Sequence, residues 1–102
     1  MACVASGWIG ILSVELHFPE AHSLKEKRMQ VRSAKEQLRN RFGAAVAEVD
    51  HHELWQRARL TLAIVAREAG EAERLVADAE RYLASREWEL GLVERELVTL
   101  ED

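Results

Sequence analysis

The residue pattern predicts an α+β sandwich of the ferredoxin-like type, βαββαβ, in which two helices cover one face of a four-stranded antiparallel sheet. Three observations carry this. Four stretches alternate apolar and polar residues with a period of two, and two others repeat near 3.6. They follow one another as strand, helix, strand, strand, helix, strand. No repeat, low-complexity tract or Gly/Ser/Pro-rich linker interrupts the 102 residues, so 1–102 reads as a single domain.

The first seven residues, Cys3 among them, read as a loose lead-in. From Trp8 to Phe18 the side chains of Leu12, Val14, Leu16 and Phe18 fall on one face and Ser13, Glu15 and His17 on the other. Pro19 to His22 break this strand. Ser23-Leu24-Lys25-Glu26 is a capping box, in which the Ser23 hydroxyl accepts from the Glu26 amide and the Glu26 carboxylate reaches back to the Ser23 amide. Leu24, Val31, Ala34, Leu38 and Phe42 then share about 80° of a helical wheel, and Gly43 is the stop.

Ala44–Val49 is a short strand and Asp50-His51-His52-Glu53 a polar turn. Leu54–Ala66 is the next strand, with Leu54, Ala58, Leu60, Leu62 and Ile64 inward and Trp55, Arg57, Arg59 and Thr61 outward. Glu15 is expected opposite Arg57, and His17 beside Trp55. Gly70–Ser85 is a helix whose core face is Ala72, Leu75, Val76, Ala79, Tyr82 and Leu83. Trp88–Leu100 closes the sheet, with a slip in alternation at Gly91-Leu92-Val93 that predicts a bulge. Trp8 and Trp88 read as packing residues.

Apolar residues make up 48% and charged residues 31%, a globular balance. A lone Cys3 excludes an internal disulfide and a thiolate metal cage. No apolar run approaches a membrane span and no signal-peptide pattern is present, so the expectation is a cytoplasmic protein without membrane contact. Eleven Arg against three Lys, with a single Asn, fits a thermophile or a GC-rich genome.

The net charge of −4 is unevenly spread. Leu24–Phe42 carries seven bases against two acids, whereas Glu68–Asp102 carries eleven acids against four arginines. Lys25, Arg28, Arg32, Lys35 and Arg39 fall within about 80° of the first helix's wheel and form one ridge beside its buried stripe. Such a ridge suits phosphates, because each neutralised phosphate releases a counterion. It also suits a plain solvated face, an ion-pair lattice with the acidic C-terminal third, or another acidic partner.

A second candidate surface is the open sheet face, where Trp55, Arg57, Arg59 and His17 mix aromatic and basic groups. Glu15, with Glu48 assigned to the same face, opposes phosphate there. The apolar Ile9, Ile11, Ala63 and Val65 suit burial against a second copy, giving a homo-oligomer, most simply a dimer. The four histidines lack metal-ligand spacing and read as turn and surface residues. No GxGxxG, GxxxxGK[ST] or GxSxG occurs, nor a GXXG loop of a KH domain. No cofactor, metal or catalytic residue is therefore expected.

Val14-Glu15-Leu16-His17, Ser23-Leu24-Lys25-Glu26-Lys27-Arg28, Ala47-Glu48-Val49-Asp50-His51 and Leu54-Trp55-Gln56-Arg57-Ala58 resemble segments of the small bacterial YlxP-like proteins, a domain-of-unknown-function family. The resemblance runs from about Trp8 to Leu100, with the last third matching mainly in pattern. It implies a ferredoxin-like fold without an established activity. Genes for such proteins often neighbour those for transcription-termination, translation-initiation and ribosome-maturation factors, which implies RNA or the small ribosomal subunit as partner.

Overall fold

The computed structural model describes residues 6–100; Cys3 and most of the predicted lead-in lie outside them. The elements are β1 (Trp8–His17), α1 (Leu24–Phe42), β2 (Ala45–Asp50), β3 (Arg57–Ala66), α2 (Ala69–Ala84) and β4 (Glu89–Thr99). The strands form one antiparallel sheet in the order β2-β3-β1-β4, and the two helices cover one side of it. This is the predicted α+β ferredoxin-like arrangement. Among the described residues, no helix is long and apolar enough to cross a membrane.

Alternation on β1 and β3 drives the core. Leu12, Val14, Leu16, Ala58, Leu60, Leu62 and Ile64 are buried between sheet and helices, against Val31, Ala34 and Leu38 of α1 and Val76, Ala79 and Leu83 of α2. Trp88 closes one end: its ring meets Phe18 edge-on at 5.9 Å and its indole N–H donates to Gln30 Oε1 at 2.9 Å. Burial therefore leaves no polar group of Trp88 unmatched.

The helix ends follow local chemistry. Ser23 Oγ accepts from the Glu26 amide at 3.1 Å, but the Glu26 carboxylate accepts from the amide of His22, one residue before the expected Ser23. Gly43 adopts φ 64° and donates to the Arg39 carbonyl, a left-handed cap that a side chain would strain.

Three expectations about the strands need correction. β3 begins at Arg57, not Leu54, because the Leu54 amide closes a turn onto the His51 carbonyl; Leu54 is exposed rather than in the core. The register puts Arg59 opposite Glu15 and Arg57 opposite His17, two residues from the expected pairing, with Trp55 before the strand. Glu48 pairs with inward-facing Leu60, so it lies on the helix side, and an extra residue at Val49 returns Asp50 to the open face beside Arg59. The expected slip in β4 is present. Val14 faces Val93 while Leu16 faces Leu90, so β4 carries one residue too many around Gly91-Leu92.

Gly10 sets how closely α2 approaches β1. A Cβ there would stand 2.5 Å from Val76 Cγ2 and 3.1 Å from the Ala72 carbonyl oxygen. Gly10→Ala should therefore cost about 1–3 kcal/mol of stability in urea unfolding. Adding Val76→Ala should lose less than the sum of the two single changes, because each single change relieves or creates the same clash.

Candidate nucleic-acid interface

The basic ridge is built by helix periodicity alone. Lys25, Arg28, Arg32 and Arg39 are exposed and Lys35 is half-buried, along one flank of α1 that extends about 21 Å at 1.5 Å per residue. The opposite flank of α1 faces α2 and the start of β4: Gln30 meets Trp88, and the Arg41 guanidinium lies 4.6 Å over the Tyr82 ring. The ridge therefore looks outward past the edge strand β2, onto whose Val46 carbonyl Arg39 Nη2 donates at 3.4 Å.

Among the described residues, none of the five ridge cations has an acidic partner. Nor is a lattice with the acidic C-terminal third formed among the described residues, where four of its acids have local partners instead. Asp78 pairs with Arg81, Glu80 with Arg95, Glu94 with Arg59, and Glu89 with His17.

What fixes the ridge in place is a residue that sequence reasoning passed over. Lys27 has no exposed surface, and its Nζ donates to Glu48 Oε2 at 2.7 Å, the His51 carbonyl at 2.9 Å and the His52 carbonyl at 3.5 Å. An ammonium has three N–H donors, so its full donor set is spent. The signal was on the wheel: Lys27 falls inside the 80° apolar stripe, between Ala34 and Leu38. A Lys at a core angle with a Glu in the next strand marks a buried pair.

The β2–β3 loop is shaped around this ammonium. His51 adopts φ 66°, and Asp50 Oδ1 accepts from its amide at 2.7 Å, the turn role expected of Asp50. The His51 ring reaches Glu15 at 2.7 Å, and the His52 ring meets the Glu48 carbonyl at 3.0 Å. Gln56 ties this loop to the other: its side-chain amide donates to the Pro19 and Ala21 carbonyls, and its own carbonyl accepts from the Phe18 amide.

The second candidate surface is on the other side of the sheet. Trp55 is exposed, and Arg57 has no ion pair among the described residues; with His17, Leu54 and Gln56 they line a shallow cleft of about 280 Å³. Arg59 is different. It is held by Glu94 and mostly covered. The predicted residues thus form two surfaces, five on the helix layer and Trp55, Arg57, Arg59 and His17 on or beside the open face. Among the described residues, no group of three or more His, Cys, Asp or Glu is placed to hold a metal ion.

The chain has relatives among known proteins. The model of a family described as "Protein of unknown function (DUF503)" matches residues 9–96. The uncharacterized protein YlxP of Bacillus subtilis (strain 168) is 28% identical over 90 residues, covering 78% of this chain and 98% of the relative. Among solved structures, the de novo designed protein Ferredog-Diesel aligns over 92% of this chain and 91% of its own, at 15% identity and a TM-score of 0.41.

Removing the ammonium strands a mostly covered carboxylate and two carbonyls. Lys27→Ala should therefore destabilise the chain by about 3–5 kcal/mol in denaturant unfolding. It should also speed amide exchange from His51 to Leu54. Lys27→Arg should fail to restore stability, because a planar guanidinium cannot place its donors as an ammonium does.

Proposed function

The chain belongs to the DUF503 family, and from that premise we propose that it is a non-enzymatic accessory protein of the cytoplasm that binds RNA, free or within the small ribosomal subunit, through α1. Lys25, Arg28, Arg32, Lys35 and Arg39 contact phosphates. The observation that supports this most is the outward row of five cations, none with an acidic partner among the described residues. Unpaired cations spaced along a rigid helix attract a polyanion from a distance and keep it by counterion release. The chain's negative total does not oppose this, because the surplus acids lie mostly in the C-terminal third, several of them tied to local bases.

Trp55 and Arg57 form a secondary contact surface at most, since they lie across the sheet from the ridge; Arg59 contributes least, being engaged by Glu94. The reading assigns no bond-making chemistry to any residue.

Arg28, Arg32 and Arg39 are exposed, so reversal of charge there should change binding without changing the fold. The triple change Arg28→Glu, Arg32→Glu and Arg39→Glu should abolish cosedimentation with small ribosomal subunits and binding to RNA at low salt. For the unaltered chain, log affinity against log salt should fall with a slope of about −4, flattening by about 0.7–0.9 for each cation replaced. Undiminished binding by the triple variant removes α1 from the interface, and no RNA or subunit binding by the unaltered chain overturns the reading altogether.

A further inference from the structure

The turn that leads into β3 is fixed on both sides of one exposed indole. The Leu54 amide donates to the His51 carbonyl, and Gln56 is bonded to Pro19 and Ala21 through its side chain and to Phe18 through its carbonyl. Trp55 stands between them, 49% exposed, and among the described residues its ring meets no other aromatic ring and no guanidinium. Trp88, by contrast, is buried and its N–H has a partner. A large ring held in place by its neighbours yet left uncovered is a stacking platform.

We propose that Trp55 and Arg57 form the binding site of a mononucleotide, with its base stacked on the indole and its phosphate on the guanidinium. Both side chains line one cleft of about 280 Å³, together with Leu54, Gln56 and His17, and no carboxylate lines it. Gln56 is committed to its two carbonyls, and His17 to Glu89 at 3.2 Å. The group left to receive an anion is Arg57, exposed and without an ion pair among the described residues. A guanidinium fork takes two phosphate oxygens at once. A neighbouring cleft of about 210 Å³ shares His17 and Arg57 but is lined by Glu15 and Glu89, whose charge opposes phosphate. The anion is therefore placed on the Trp55 side of Arg57.

Size and openness narrow the class of ligand. The cleft lies just under the about 300–1,000 Å³ of small-molecule pockets, which suits a mononucleotide better than a dinucleotide. Half-exposed Leu54 extends the apolar wall beside the indole. A base stacked there has its edge in water, and every base has a π-face, so purine and pyrimidine nucleotides are both accepted. No residue of α1 lines the cleft, so this site is independent of whether the ridge binds RNA.

Titration with adenosine monophosphate, followed by nuclear magnetic resonance, tests this. The nucleotide should shift the Trp55 indole N–H and the amides of Leu54 to Arg57 saturably, and leave the amides of Arg28 to Arg39 in place. Trp55→Ala and Arg57→Ala should each weaken binding about tenfold or more, with unchanged circular dichroism, since both side chains are exposed. Trp55→Phe should keep most of the affinity. Adenosine and ribose phosphate each carry only one of the two recognised groups, and each should bind about tenfold more weakly than the nucleotide. The triple change Arg28→Glu, Arg32→Glu and Arg39→Glu should bind it as the unaltered chain does, which separates this site from the ridge. No saturable shift, undiminished affinity in either alanine variant, ribose phosphate bound as tightly as the nucleotide, or loss of binding in the triple variant would each overturn the proposal.

Discussion

The buried ammonium of Lys27 is the constraint around which one end of the molecule is organised. A charge with no exposed surface persists only if its hydrogen-bonding capacity is met and an opposite charge lies close. Both conditions come from β2 and its following loop: Glu48 supplies the charge, and His51 and His52 supply carbonyls. The ion pair fastens α1 to the edge strand and sets the roll of the helix about its axis. With Lys27 turned inward, the ridge residues are turned outward past β2. The left-handed backbone at His51 serves the same end, since it aims that carbonyl at the ammonium. Together with the buried Val31, Ala34 and Leu38, this interior contact turns five surface charges outward.

The segments on which the resemblance to YlxP-like proteins rests have a structural account in these contacts. Lys27 and Glu48 are the pair, Asp50 and His51 shape the loop, and Gln56 stitches that loop to Pro19 and Ala21. These residues are separated in sequence yet meet at one end of the sheet. The ridge is a separate layer of design, resting on this frame and carrying the charge that the frame orients.

Local physics was legible in the sequence and long-range physics was not. The element order, the Ser23 and Gly43 caps and the bulge at Gly91 each follow from a few neighbouring residues, through periodicity, side-chain oxygens or a glycine. The ridge was legible for the same reason, being a property of one helix. The register of β1 on β3 depends on how the 51–56 turn is closed, and Leu54 belongs to that turn rather than to the strand. Glu48 was assigned to the wrong face because the extra residue at Val49 shifts the alternation after it, which no feature of β2 alone announces. Lys27 was counted among the bases because its partner lies 21 residues away.

The same arrangement bears on how the sheet's two edges are kept from pairing with other chains. An unpaired edge strand is a template for association. β2 is only six residues long and kinked at Val49, and the ridge of α1 overhangs it. Two copies joined β2 to β2 across a two-fold would bring two rows of cations together, a like-charge contact that disfavours the pairing. β4, at the other edge, is bent by its bulge near Gly91. Both edges carry a local obstacle, while the broad face of β1 and β3 carries none and leaves Ile9 and Val65 open. Association that avoids the edges has the face available to it, and a polyanion approaching the helix layer meets the ridge first. The fold thereby keeps the exposed Ile9 and Val65 on one side of the sheet and the cationic ridge on the other.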